Sequence, residues 1–202
     1  MAVSEDKKVL LAAVNAKYIH SNLAVYSLKR YAMEQGCREP EIGEYTINQQ
    51  PDDILGEIYK RRAQVVAFSC YLWNIDIVRQ VAAQLKKVQP GVEIWAGGPE
   101  VSYHSEEQLS ETPYFDVIMC GEGERTFSEL VKAYESGNDY RDIPGIVWRE
   151  NFSGKIISNP QAAPLSMDDL PFAYPWLVKD AGMEDVFGEL LPEYRETPDF
   201  SN

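Results

Sequence analysis

Three observations predict a doubly wound α/β fold. Between residues 8 and 137, short apolar runs alternate with helical patterns, the sequence form of a parallel sheet with helices on both faces. The runs are dominated by Val, Ile and Phe with little polar alternation, as strands covered on both sides require. Two of them end in Ser69-Cys70-Tyr71 and Gly97-Gly98. Residues with small or absent side chains at the C-terminal ends of neighbouring strands form a rim where a large ligand can approach the backbone.

Five strands are expected, at residues 9–14, 41–47, 65–70, 92–96 and 115–120, and the more polar second suits a sheet edge. After the first, Ser21 or Asn22 can cap a helix that Gly36 ends. After the second, Pro51 takes a first-turn position ahead of Asp52, Asp53, Ile54, Leu55 and Ile58. Lys60-Arg61-Arg62 close that helix, where cations complement the macrodipole. Asn74 can cap the next helix, whose apolar stripe is Ile75, Val78, Ala82 and Leu85. Ser105-Glu106-Glu107-Gln108 has capping-box spacing and opens a short helix that stops before Pro113. Residues 124–135 then place Phe127, Leu130, Val131 and Tyr134 on one face, with Gly137 as the stop.

Residues 1–137 thus form the α/β domain. Residues 138–158 read as a β-hairpin appended to the sheet, with Gly145-Ile146-Val147-Trp148-Arg149 and Lys155-Ile156-Ile157 as its arms. Residues 159–202, with Pro160, Pro164, Pro171, Pro175, Pro192 and Pro198 among acidic residues, lose periodicity and read as a linker.

Composition narrows the function classes. The chain has 202 residues, 45% of them hydrophobic, enough for a sizeable core. With 19 basic and 32 acidic residues and a formal charge of -13, neither nucleic acid nor an anionic membrane is an expected partner. No apolar run spans a bilayer and no signal-peptide plan is present, so a cytoplasmic location is expected. Cys37, Cys70 and Cys120 form neither a disulfide framework nor a zinc site, and packing as small hydrophobes is the expected role of Cys70 and Cys120.

Four segments at the expected rim carry the chemistry: residues 15–22, 69–74, 97–103 and 121–126. The first lacks GxGxxG, GxxxxGK[ST] and the Ser/Thr/Gly-rich cradle a flavin phosphate needs, which disfavours dinucleotides, nucleoside triphosphates and flavin mononucleotide. A receiver domain of two-component signalling needs acidic residues where Asn15 and Ser69 stand. What remains is a hydroxyl at Ser69, the aromatics Tyr71 and Trp73, and backbone amides at Gly98 and Gly121-Glu122-Gly123. That set suits a ligand with amide and phosphate groups around an extensive apolar ring. The alternative puts Tyr71 and Trp73 in the core and the glycines in tight turns.

These residues resemble the cobalamin-binding domain at the N-terminus of many radical S-adenosylmethionine (radical SAM) enzymes. The resemblance runs from about residue 8 to 157 and on through Leu165-Ser166-Met167-Asp168-Asp169-Leu170-Pro171. Its most specific parts are Gly97-Gly98-Pro99-Glu100-Val101-Ser102 and Gly121-Glu122-Gly123-Glu124-Arg125-Thr126-Phe127. It implies a Rossmann-like, flavodoxin-like sheet binding cobalamin, with Asn15, Lys17, Tyr18, His20 and Asn22 against the lower corrin face. Ser69, Tyr71, Leu72 and Trp73 would lie beside the dimethylbenzimidazole tail, and Gly97, Gly98, Pro99, Glu100, Gly121, Glu122 and Gly123 around the nucleotide. Cobalamin proteins of the broader fold carry DxHxxG after the first strand. Here Asn15, Lys17 and His20 occupy the Asp, His and Gly positions, so the axial-ligand motif is broken.

The resemblance therefore implies base-off cobalamin with no imidazole beneath the cobalt. Lys17 would contact a corrin amide or water, and His20 would pack or bond locally. A radical SAM barrel, in cis or in trans, would hold the [4Fe-4S] cluster and S-adenosylmethionine and support methyl transfer or related radical chemistry. The CxxxCxxC loop for that cluster is absent here, so the chain by itself is expected to bind rather than catalyse. The competing reading is a cofactor-free flavodoxin-like regulatory or interaction module. Exposed aromatics around an open groove favour the first, buried ones the second.

Overall fold

The first strand, β1 (Val9–Asn15), is buried along its whole length, as its run of aliphatic side chains demands. It forms the second rib of a seven-stranded sheet, whose five parallel strands are followed by two antiparallel ones. In this computed structural model, residues 7–17, 21–150 and 153–171 are described, all within one compact unit spanning residues 1–171.

The elements follow in the expected alternation. After β1 come α1 (Leu23–Glu34), β2 (Glu41–Thr46), α2 (Pro51–Arg61), β3 (Val65–Ser69) and α3 (Ile75–Val88). Then come β4 (Glu93–Gly97), α4 (Pro99–Ser102), α5 (Ser105–Glu111), β5 (Val117–Met119) and α6 (Gly123–Ser136). The strand order β2-β1-β3-β4-β5-β6-β7, with β6 (Ile146–Arg149) and β7 (Ile156–Ser158), makes β2 the edge its polarity predicts.

Side-chain alternation divides the core. Leu10, Ala12, Val14, Val66, Phe68, Ile94 and Ala96 join the stripes of α2 and α3 in one buried cluster. The opposite face carries α1 and α6, where Trp95 is fully buried with Phe127 and Tyr134 edge-on at 6.3 and 6.2 Å.

Helix boundaries bear out most of the sequence reading. Asn22 caps α1 by accepting from Ala24 N, Pro51 opens α2, and Gly137 ends α6 in the left-handed region. Two expectations change. Ser105 is the first residue of α5 rather than its cap, and His104 before it makes no side-chain cap bond, so the capping box does not form. Asn74 stands at the N-cap of α3, but its side chain serves other partners. The hairpin joins the sheet through β5: β6 pairs with it, antiparallel, and extends the sheet. The four-residue α4 escaped the pattern because a single turn has no periodicity; Ser102 Oγ steadies it by donating to Gly98 O at 2.8 Å.

Candidate ligand site at the strand rim

Register partners in a parallel sheet point to the same face, so the pairing aligns side chains in rows across the strands. One row, nearest the C-terminal ends, reads Glu44, Ala13, Ser69, Gly97, Met119. The row beneath it reads Ile42, Leu11, Ala67, Trp95, Val117. Small residues therefore stack in the middle of the sheet while Trp95 fills the space below them, and a slot is left between sheet and helices.

That slot has a volume of about 130 Å³, with Ala67, Ser69 and Gly97 on the sheet side and Ala24 and Leu28 on the α1 side. Tyr71, Gly98, Gly121 and Gly123 line it where the rim loops begin. It is well below the roughly 300–1,000 Å³ of a drug-sized pocket, so it admits one ring-sized part of a larger ligand. Beyond Gly98 and Gly121, which both cavities share, a second hollow of about 660 Å³ opens over Pro99, Ser102, Tyr103 and Glu122.

The two glycines of the shelf are glycine for different reasons. At Gly97 a Cβ would meet the end of the flexible Met119 side chain at 3.1 Å, so what the missing side chain leaves is space. Gly98 has φ +111, and a Cβ there would lie 2.5 Å from the Cys70 carbonyl oxygen. Its need is conformational and steric. Gly98→Ala is expected to cost about 2 kcal/mol of folding stability, since positive-φ strain and a backbone clash act together. Chemical denaturation measures this, and a loss below about 0.5 kcal/mol would contradict it.

Hydrogen bonds tie the rim segments together. Asn74, 1% exposed, donates from Nδ2 to Val14 O and Ser69 O, both at 2.9 Å, and accepts from Tyr71 N at 2.8 Å. It thereby clamps the ends of β1 and β3 to the turn between Ser69 and α3. Glu44 accepts from Asn15 Nδ2 and Asn22 N, both at 2.9 Å, on one oxygen and from the Tyr26 hydroxyl at 2.7 Å on the other. Asn22 Nδ2 donates to Ser69 Oγ at 2.9 Å, and Ser27 donates to Glu124 at 2.8 Å, joining α1 to α6.

The residues expected at the site are distributed as follows. Asn15, Asn22, Ser69, Tyr71, Gly97, Gly98, Gly121 and Gly123 converge on the slot or on the network at its edge. Lys17 is exposed at the end of β1, while Tyr18 and His20 lie outside the described residues. Leu72 is 79% and Trp73 49% exposed, and the Trp73 ring stacks on Tyr71 with centroids 4.5 Å apart. Trp73 thus faces solvent, and Tyr71 is half-buried on the slot wall, so neither fills the core. Pro99 and Glu100 open α4, with Glu100 N donating to Cys70 O at 3.3 Å. Glu122 accepts from Leu165 N at 2.9 Å, so its carboxylate holds the outgoing chain. Glu44, Tyr26 and Asn74 belong to the same assembly, and the sequence reading passed over those roles.

Charge states agree with this division of roles. Burial pushes the Cys70 thiol up to about 12, so it is an inert packing group, and burial also raises Cys120 and Tyr71. Among the described residues no cluster of three or more His, Cys, Asp and Glu could hold a metal ion, and no helix is long and apolar enough to cross a membrane.

Comparison with known proteins agrees with this geometry. The family model described as "B12 binding domain" matches residues 9–131. A 2-(S-pantetheinyl)-carbapenam-3-carboxylate methyltransferase of Streptantibioticus cattleyicolor is 39% identical over 83 residues, 41% of this chain and 12% of its own. The cobalamin-dependent radical SAM methyltransferase TokK of Streptomyces tokunonensis is 34% identical over 105 residues, 52% of this chain and 15% of its own. The chain therefore spans only a small part of these relatives' length. Among solved structures, the cobalamin-dependent S-adenosylmethionine radical enzyme OxsB matches with a TM-score of 0.66 at 16% identity, covering 83% of this chain and 24% of its own. The radical S-adenosylmethionine methyltransferase TsrM from Kitasatospora setae matches with a TM-score of 0.63 at 18% identity, covering 78% and 31%. Both share the fold.

Proposed function

Because the chain belongs to the B12 binding domain family over residues 9–131, we propose that it holds base-off cobalamin for a radical SAM enzyme, the tail's ring seated in the slot. The observation that carries this reading is the slot at Gly97, a space produced by the lack of a side chain in a row of small residues. A volume of about 130 Å³ fits one ring system and leaves the corrin on the rim, where Leu72 and Trp73 are exposed. Ser69 and Tyr71 would flank the tail, and Gly98, Pro99, Glu100 and residues 121–123 would meet the nucleotide. Asn15, Lys17, Tyr18, His20 and Asn22 would face the lower side of the corrin. The cofactor would supply methyl-relay chemistry; the chain's own task is to bind and orient it. A barrel carrying the [4Fe-4S] cluster and S-adenosylmethionine, in cis or in trans, completes the proposed enzyme, and the broken DxHxxG motif supports a cobalt without a protein imidazole.

The test is a titration of the chain with hydroxocobalamin and with reduced cobalamin, following the visible spectrum and the melting temperature. Saturable binding with a base-off spectrum is expected. At a ligand concentration of 100 times Kd the stabilisation is about 2.7 kcal/mol, a rise in Tm of about 5–11 °C for a chain of this size. A spectrum of nitrogen-coordinated cobalt would overturn the assignment: its loss on His20→Ala would point to His20 as the ligand, and its persistence to the cofactor's own dimethylbenzimidazole. The absence of both spectral change and stabilisation would favour the cofactor-free interaction module instead.

A further inference from the structure

We infer that Glu44, on the edge strand, is a positioning residue for the slot: it anchors the Asn22 backbone, and so holds in place the capping amide that leaves Ser69 its hydroxyl proton to offer. The inference rests on the cobalamin reading for the ligand but on this chain's own network for its mechanism.

Glu44 occupies the edge end of the row that forms the slot, two strands away from Ser69 and on the same face. Its carboxylate can only accept, and it takes one hydrogen bond from the Asn22 backbone, one from the Asn15 amide and one from Tyr26. These contacts orient the entry to α1. Asn22 Oδ1 is committed to Ala24 N, so its Nδ2 must donate, and the acceptor it reaches is Ser69 Oγ. With one lone pair so engaged, the Ser69 hydroxyl has no acceptor for its own proton among the described residues, and it stands on the slot wall. The same logic at Asn15 turns Nδ2 to Glu44 and leaves Oδ1 as an acceptor on the rim.

The edge carboxylate and the Asn22 cap that it anchors thus fix a polarity together: the cap bond to Ala24 N leaves a donor inside the slot at Ser69, and Glu44 leaves an acceptor outside it at Asn15. A ligand that matches presents an unprotonated ring nitrogen or another neutral acceptor to the slot, and an amide N–H to the rim. In the DxHxxG pattern the acidic residue lies in the loop after the first strand. Here that position is Asn15 and the carboxylate it meets comes from the neighbouring strand.

A double-mutant cycle on the full chain tests the coupling, read as the Kd for hydroxocobalamin. Ser69→Ala is expected to weaken binding about tenfold, the loss of one well-placed hydrogen bond, and Glu44→Ala about a hundredfold, since it releases Asn15 as well as Asn22. The double variant should lose no more than Glu44→Ala alone, about a hundredfold rather than the roughly thousandfold of independent sites, because removing Ser69 takes away nothing that the loss of Glu44 left in place. Glu44→Gln should restore nearly full affinity, since its carbonyl can accept from both Asn15 and Asn22 while its amide donates to the Tyr26 oxygen. A merely structural role for Glu44 would lower Tm without producing the non-additivity. Additive losses, or a Glu44→Ala variant that binds like the parent, would overturn the inference and leave the cobalamin reading intact. A parent chain that binds no cobalamin would overturn both.

Discussion

Gly97→Leu is expected to leave the chain folded and to weaken its affinity for hydroxocobalamin by about a hundredfold, the upper end of a 1–3 kcal/mol overpacking penalty transferred to the ligand. The fold tolerates the change because Gly97 has no positive φ and the nearest obstacle to a Cβ is the tip of the Met119 side chain at 3.1 Å. The remaining carbons enter the slot between Ala67, Ser69 and Leu28, the space the ligand ring needs. Tm and Kd measured on one preparation separate the two effects. Ala24→Leu fills the same slot from α1 and should act in the same direction. If both variants keep their fold and bind cobalamin like the parent chain, the slot is not where the tail resides.

Asn74→Leu is expected to cost about 4 kcal/mol of folding stability, lowering Tm by about 8–16 °C for a chain of this size. Its three hydrogen bonds serve two buried carbonyls at the ends of β1 and β3 and one half-buried amide in the turn before α3. Leucine has a comparable size but satisfies none of them, and each orphaned group costs about 1–3 kcal/mol. Urea unfolding gives the value directly, and a loss under about 1 kcal/mol would mean the strand ends hold together without this clamp. Because the clamp also shapes the turn carrying Tyr71 and Trp73, the surviving folded fraction should bind more weakly.

What the sequence discloses of this fold is the part governed by neighbours along the chain. Apolar runs, helix stripes and stops are local, so Asn22, Pro51 and Gly137 could be assigned their places. Register is not local. Nothing in residues 41–46 says that Glu44 will sit beside Ala13 and therefore share a face with Ser69 and Gly97. The glycine shelf was visible as a motif, but the slot beneath it exists only once the strands are aligned. Asn74 illustrates competition between two uses of one residue type: Asn suits an N-cap, and the tertiary partners Val14 O and Ser69 O took its side chain instead. The hairpin was recognised as two arms and a turn, while its attachment to β5 depended on an edge that the sequence does not mark.

The two antiparallel strands have a consequence that follows from counting reversals. β6 runs against β5, and β7 runs against β6, so β7 points the same way as β1 through β5. After an even number of turns the polypeptide emerges where it would emerge from any parallel strand, at the edge that carries Gly98 and Gly121. The contacts that follow keep it there: Gly145 N reaches Pro160 O at 2.7 Å, and Glu122 holds Leu165 N. With β6 alone, the exit would lie at the opposite end of the sheet, a strand's length from the slot. Parity of strands, rather than any special interface, delivers residues 159–171 to the rim that carries the slot, and the Glu122 carboxylate makes the loop at the slot's mouth mechanically continuous with the outgoing chain.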